Sequence, residues 1–415
     1  MRRPSILFIN RVYPPTRGAT GRVLRDLARS FAREGWQVTV ITTGPKAITE
    51  RDGAVRVIRV KAAEKPSGFI NYLWIELKLL LAALRLPKTH LLVTMTDPPL
   101  LVTAGHIITT FKKNRHIHWC QDLYPDLLPA LDYKIPGFIL KALLKRTRNA
   151  MRKTDKVIVI GRCMARHLSN DGFDPKQITV IPNWPDFELV RPENRKDFND
   201  KSPAGPMHSA NIETYRGPEE QVKLGPKFRV LYAGNIGRAH PTETIMAAAE
   251  ILNDQQPDIE FVFVGDGPRF DEIARQRSQN HLDNIRLLPY QPVGRLKDLM
   301  ESGDVHIISM KEESAGLLVP SKLYAALAVQ RPCILVGPAH SEAAKIIMDF
   351  KAGSIVSQND PLHLAEEIRQ MRLSSDKWMQ AYEGSKTASE IFVPRESINA
   401  WIERAWAVVE PDIRE

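Results

Sequence analysis

Three cysteines in 415 residues, Cys120, Cys163 and Cys333, stand too far apart to space a zinc site or frame a disulfide scaffold. Such sparing use fits a reducing compartment, so a cytoplasmic protein is expected. No apolar run reaches the ~20 residues that a membrane span needs. Met1-Arg2-Arg3 leads straight into an apolar strand, so no signal peptide is expected either. Ligand-spaced clusters of His, Cys, Asp and Glu are missing, and no metal or other cofactor is expected. The Gly-x-Gly-x-x-Gly fingerprint of dinucleotide binding and the Gly-Lys-Ser/Thr of a Walker loop are missing as well.

What is present begins with charge. The net charge is +10, unevenly spread. Residues 1–190 hold 31 Lys/Arg against 15 Asp/Glu, a balance of +16; the remainder holds 27 against 33, a balance of −6. A basic first half can meet nucleic acid, an anionic membrane surface or a phosphorylated acceptor. No aromatic-basic interleaving or recognised module favours nucleic acid, and none is expected as a partner.

Length predicts two domains. In the first half, β-branched runs at Ser5–Asn10, Gln37–Thr42, Val55–Val60, Leu91–Thr94, Ile117–Cys120, Val157–Ile160 and Ile178–Ile181 alternate with helical patterns such as Gly21–Glu34. That alternation predicts an α/β fold with a doubly wound parallel sheet. Residues 187–227 are polar and rich in proline, and are taken as a linker or inserted loop. Strands resume at Phe228–Ala233 and continue through Glu260–Val264, Ile285–Leu288, Val305–Ser309 and Cys333–Val336. The division is therefore 1–186, 187–227 and 228–394, with a last helix in 395–415 placed to pack back on the first domain.

Two helices bear on membranes. Ile70–Leu86 carries Leu73, Trp74, Leu77, Leu81 and Leu84 on one face, which predicts a buried crossover helix. Gly137–Lys153 sets Phe138, Ile139, Leu140, Leu143, Leu144 and Met151 against Lys141, Lys145, Arg146, Arg148, Arg152 and Lys153. Such a helix docks on its own sheet or lies in a membrane interface.

The chemistry is expected at strand ends, where open α/β sheets face their ligands. In Gly316-Leu317-Leu318-Val319-Pro320-Ser321-Lys322, a glycine-bearing loop enters an apolar helix. Its backbone N–H groups and the helix dipole suit a phosphate, and Lys322 adds a cation. Tyr232-Ala233-Gly234-Asn235-Ile236-Gly237-Arg238 ends a strand with two glycines and a cation fit for a diphosphate. Val264-Gly265-Asp266-Gly267-Pro268 is a similar exit, though Asp-Gly-Pro also serves as a plain turn. In the first half, Asn10-Arg11-Val12-Tyr13-Pro14-Pro15-Thr16-Arg17-Gly18-Ala19-Thr20-Gly21-Arg22 leaves a strand for a helix and predicts a rigid, open loop, or a turn alone. His118-Trp119-Cys120-Gln121-Asp122-Leu123-Tyr124-Pro125-Asp126 gathers titratable groups at a strand end; Asp122 ranks above His118, since a lone strand histidine is more often structural.

These strings, in this order, resemble family 4 of the retaining glycosyltransferases. Tyr232–Gly237, Val264–Pro268 and Val319–Pro332 look like the family's donor domain. The Pro14-Pro15 turn and Val180-Ile181-Pro182-Asn183-Trp184-Pro185-Asp186 match its first domain. Asp122–Asp126 and Val319–Tyr324 are closer to a subgroup making bacterial surface polysaccharides. The resemblance implies the GT-B fold, two Rossmann-like domains facing a cleft, and a hexosyltransferase-like enzyme using a nucleotide diphosphate sugar, by family a UDP-sugar. It implies donor binding at Gly234, Asn235, Gly237, Pro289, Tyr290, Gly316, Leu317, Leu318 and Ser321. Asp122, Arg238 and Lys322 would carry the chemistry, and Gly18, Gly21, His118 and Asp126 would line the acceptor side. Ala325 stands where the family's ribose-binding glutamate is expected, leaving Ser321 and Lys322 to take part of that role. The expected acceptor is a polyprenyl-diphosphate-linked saccharide, reached by a peripheral protein at the inner membrane face. A nucleotide-sugar epimerase of the same fold would need acid-base carboxylates that the sequence does not assemble.

Overall fold

Runs of aliphatic and β-branched residues with no polar face can only be buried on both sides, which is what a parallel sheet between helix layers provides. The computed structural model describes residues 3–64, 66, 68–190, 212–215, 221–224 and 227–414. Among them, eight strands form a first sheet: β1 (Ser5–Ile9), β2 (Gln37–Gly44), β3 (Ile48–Asp52), β4 (Val55–Lys61), β5 (Leu91–Thr94), β6 (Arg115–Cys120), β7 (Lys156–Val159) and β8 (Ile178–Val180). Their order is β3-β4-β2-β1-β5-β6-β7-β8, parallel throughout except for the β3–β4 hairpin. Leu7 and Ile9 face helices Phe69–Arg85 and Leu101–Lys112, meeting Ile75, Leu79, Ala104 and Ile108. Phe8, one residue out of phase, faces the other way and packs on Phe31 of helix Ala19–Arg33, ring centroids 5.8 Å apart.

That second face also receives the C-terminal helix Pro394–Arg414. Trp401 packs on Trp119 of β6 (4.7 Å) and Trp406 on Trp36 (4.9 Å), while Arg115 pairs with Asp412 at 2.6 Å. Each tilted aromatic contact adds about 0.5–1.5 kcal/mol beyond the area it buries. The aromatic pairs therefore hold this distant segment.

A second sheet, β11 (Phe228–Ala233), β12 (Ile259–Val264), β13 (Ile285–Leu288), β14 (Val305–Ser309), β15 (Cys333–Val336) and β16 (Gly353–Val356), follows a short antiparallel pair, β9 (Ile212–Tyr215) with β10 (Gln221–Leu224). Its order is β13-β12-β11-β14-β15-β16, all parallel. Two compact units result: residues 1–183 with 316–319 and 395–415, and residues 184–315 with 320–394. Residues 316–319, assigned by sequence to the second domain, thus group with the first. Most of the stretch expected to be a linker, 191–211, 216–220 and 225–226, lies outside the described residues.

Two expectations about helices are overturned. Helix Phe69–Arg85 buries Ile75, Glu76, Leu79 and Ala83, not the predicted stripe. Leu73, Trp74, Leu77 and Leu81 are exposed, at 51, 58, 39 and 41 %. The helix is apolar on nearly every side, so periodicity alone offered two stripes; the sheet took the other. Arg148, expected on the solvated basic face of its helix, is also buried.

Candidate active site

In the second unit, three loops leave β11, β12 and β13 at the same edge of the sheet. Gly265 lies at φ +147, where a side chain would be strained, and a Cβ there would stand 2.2 Å from the Gly234 carbonyl oxygen. Closeness is secured by Gly234 N–H donating to Val264 O and Ile236 N–H to Asp266 O, both 2.8 Å. The glycines of Val264–Pro268 therefore do more than turn the chain; they seat one loop on the next. Gly265 N–H in turn donates to Leu288 O (3.0 Å), bringing up the loop that carries Pro289 and Tyr290.

Lys322 lies across this edge. It sits in the first turn of helix Ser321–Ala328, whose cap position is Pro320, so no side chain there accepts from the first-turn amides. Its Nζ donates to the Asn235 carbonyl at 2.9 Å and stands 5.0 Å from the Tyr232 ring centroid. A Cβ on Gly234, at φ +119, would approach Lys322 Cε to 3.2 Å, so glycine clears the path of this side chain. Among the described residues no carboxylate pairs with Lys322, and burial pushes its pKa down to about 7. Beside it, His240 donates from Nδ1 to Ser309 O (2.7 Å), and burial with the nearby Lys322 charge holds it neutral, its pKa lowered to about 3. Arg238 is exposed on the same loop, and Gly237 packs near the Asn235 amide. Ala325 is packed against the apolar cluster that holds Val264, Leu288 and Ala328, and as an alanine it brings no carboxylate to that helix position; Glu312 and Glu313 are exposed.

Gly234, Asn235, Gly237, Arg238, Pro289, Tyr290, Ser321 and Lys322 are thus gathered by adjoining loops and one helix start. Gly316, Leu317 and Leu318 are not. They group with the first unit, where Leu317 O accepts from Leu123 N–H at 2.7 Å. His240 was missed by the sequence reading, and Tyr232 was quoted there only as the strand residue ahead of the Gly-x-x-Gly turn.

In the first unit, the ends of β1, β5 and β6 bring Arg11, Asp97 and Asp122 to one edge. Arg11 Nε pairs with Asp97 at 2.7 Å and the guanidinium lies 5.8 Å from the Tyr72 ring centroid. Burial, then the Asp97 charge, push the Asp122 carboxyl up to about 7. Tyr124 is raised well above its ordinary value by burial and the same two acids. Asp97 and Tyr72 escaped the sequence reading, and Arg11, though part of the first turn, was given no role; Arg11 and Asp97 follow strand ends, which was the available signal.

Other expected acceptor residues sit elsewhere. His118 is buried inside β6, bonded through Nδ1 to Thr94 Oγ1 at 3.1 Å, and burial lowers its pKa to about 4. It is part of the sheet interior, not of an acceptor-side loop. Asp126 pairs with Arg148 (2.6 Å), which also pairs with Asp171 (2.7 Å), and His167 lies 3.3 Å away. Asp126, His167 and Asp171 are close enough to share a metal ion, but the Arg148 guanidinium already supplies the positive charge among them. Gly18 and Gly21 do not open the first loop: a Cβ on either would meet Val12 Cγ1 at 2.8 Å, so they let Val12 close over the helix start.

Known proteins resemble this chain along both of its halves. A family model described as "Glycosyl transferase 4-like domain" matches residues 18–184, and one described as "Glycosyl transferases group 1" matches residues 217–387. The Pseudomonas aeruginosa protein named "Probable glycosyltransferase WbjE" is 26 % identical over 284 residues, 68 % of this chain and 66 % of that protein. WcaI of Escherichia coli K12, named for colanic acid biosynthesis, is 26 % identical over 54 % of this chain and 51 % of its own. The chain thus spans between half and two thirds of the curated relatives it matches. Among solved structures, Anabaena HepE in complex with UDP superposes with TM-score 0.67 at 14 % identity, covering 97 % of this chain and 100 % of that one. Sucrose-phosphate synthase from Thermosynechococcus elongatus gives TM-score 0.71 at 16 % identity, covering 98 % of each. At such identities the structures speak to fold alone, which is GT-B. With both halves of a glycosyltransferase matched in order along the sequence, the chain belongs to family 4 of the glycosyltransferases.

Proposed function

We propose that this protein transfers a sugar from a nucleotide diphosphate sugar, a UDP-sugar, to an acceptor hydroxyl, with retention at the anomeric carbon. The observation that carries this is Lys322. It has no carboxylate partner among the described residues, is held at a helix start over a glycine loop, and has its pKa lowered by burial. A donor diphosphate would supply the negative charge, and Arg238 and the first-turn amides would add to its stabilisation as the sugar–phosphate bond breaks. Tyr290 and Pro289 would lie against the base, and Ser321 beside the phosphate or ribose. HepE, solved with UDP and with UDP-glucose, supports the choice of nucleotide.

On the first unit, Asp122 is the group to meet the acceptor. A carboxyl with a pKa of about 7 can orient the attacking hydroxyl and take up its proton as the glycosidic bond forms. The name of WcaI, given for colanic acid biosynthesis, and the basic first half support an acceptor in bacterial surface polysaccharide synthesis, capsule, O-antigen or exopolysaccharide. In this reading it is a lipid-linked saccharide met at the inner membrane face by a peripheral enzyme. Among the described residues no helix is long and apolar enough to cross a membrane.

The test is a panel of UDP-sugars incubated with and without lipid-linked saccharides, read by UDP release and by the anomeric configuration of the product. Transfer with retention is expected. Isomerisation of the sugar in the absence of acceptor would replace this reading with that of an epimerase.

A further inference from the structure

Helix Phe69–Arg85 leaves Phe69, Ile70, Leu73, Trp74, Leu77 and Leu81 exposed, between 39 and 69 %. At 100° per residue these six fall within about 140° of the helical wheel, one continuous stripe. A water-soluble surface seldom strings together so many large apolar side chains without a partner. The opposite stripe is already spent on the sheet, so this one is not core awaiting closure.

Charge indicates what covers it. The one acid of the helix, Glu76, is buried and accepts from Thr103, while its exposed charges, Lys78 and Arg85, are cations. Helix Leu101–Lys112 packs against both Phe69–Arg85 and Gly137–Arg152. The latter exposes Phe138 (77 %) and Ile139 beside Lys141, Lys145 and Arg146. Apolar side chains interspersed with cations, on a half-chain of charge +16, match an anionic bilayer surface. A second copy of the chain would instead bring like charges together. In the same turn as Leu73 and Trp74, but off their stripe, Tyr72 lies by Arg11, which pairs with Asp97 next to Asp122.

We propose that helix Phe69–Arg85 seats the first unit on an anionic lipid bilayer, its Trp74 stripe inserted among the acyl chains. This sets the Arg11–Asp97–Asp122 edge at headgroup level, where a lipid-borne acceptor arrives. The second half of this statement rests on the glycosyltransferase reading; the first does not.

The experiment is flotation with vesicles of phosphatidylcholine, with and without phosphatidylglycerol, on wild type, on Leu73→Glu/Trp74→Glu and on Lys141→Glu/Lys145→Glu. Calorimetric UDP binding and circular dichroism of each variant serve as controls of the second unit and of folding. Wild type is expected to float with the anionic vesicles only. The Leu73/Trp74 variant should lose at least about ten-fold in partitioning, with unchanged UDP affinity and helicity. Wild type that stays with the soluble fraction, a folded Leu73/Trp74 variant that floats as wild type does, or a stripe that proves to mediate dimerisation on gel filtration overturns the proposal. Flotation as expected without UDP binding would leave the docking surface standing and sink the enzymatic reading instead.

Discussion

The two sheets put opposite charges at equivalent edges, and burial drives both toward the same pKa. Lys322 on the second unit is lowered to about 7, and Asp122 on the first is raised to about 7. Desolvation penalises whichever form is charged, so an acid climbs and a base falls. The two differ in their neighbours. Asp122 has a second carboxylate, Asp97, next to it, whereas Lys322 has no charged partner among the described residues. One edge carries an acid that can accept a proton near neutral pH; the other carries a lysine with no carboxylate paired to it among the described residues.

The strongest way to break this contrast is Lys322→Ala. If the lysine neutralises the leaving diphosphate, kcat/KM should fall by about 10²- to 10³-fold, as for loss of one transition-state donor. Wild-type UDP affinity and turnover in this variant would remove the phosphate assignment. Gly234→Ala should act less directly. A Cβ at φ +119 is strained and crowds Lys322 Cε, so we expect a loss of about 1 kcal/mol or more in stability and roughly ten-fold weaker UDP binding. Unfolding in urea and calorimetry would measure the two effects separately.

pH sharpens the comparison further. Transfer should rise with pH through about 7 as Asp122 loses its proton, whereas UDP affinity should fall above about 7 as free Lys322 loses its own. Asp97→Asn removes a neighbouring negative charge, so the rising limb should move to lower pH by up to about one unit; a limb that stays in place would assign it to another group. The smallest effect is on stability. Between about pH 7 and the ordinary lysine value of 10.5, the unfolded chain binds a proton at Lys322 that the folded chain does not. Wild-type stability therefore gains with rising pH across that window. Lys322→Met should be the more stable protein without ligand, by on the order of 1 kcal/mol at or below pH 7, with the advantage gone near pH 10.5. Thermal melts at both ends of the window would show it.

The readable part of this fold was the part that is buried on both sides. The central strands show as aliphatic runs because every residue in them meets a helix. Edge strands do not. Ile48-Thr49-Glu50-Arg51-Asp52 is largely exposed and polar, so β3 left no apolar signature, and β16 opens on Gly353, where a Cβ would stand 1.7 Å from the Cys333 carbonyl oxygen. Site residues divided in the same way. Gly234, Asn235 and Lys322 were legible because glycine after a strand and a cation at a helix start are local signals. Arg11, Asp97 and Tyr72 come from three separate segments, and only the strand order β1-β5-β6 with the packing of helix Phe69–Arg85 makes them neighbours.

The sequence by itself therefore determined two parallel α/β arrays, a glycine turn after a strand and a lysine at a helix start, an acid at the end of β6 and a basic first half. Periodicity, glycine and charge are properties of short stretches and survive without coordinates. The tertiary structure decided which stripe of an all-apolar helix stays in water, that residues 316–319 group with the first unit, and that His118 bonds Thr94 and Asp126 pairs with Arg148 while Asp97 stands by Asp122. Those are long-range outcomes. Each depends on what the sheet has already buried and on how far a charge lies from water.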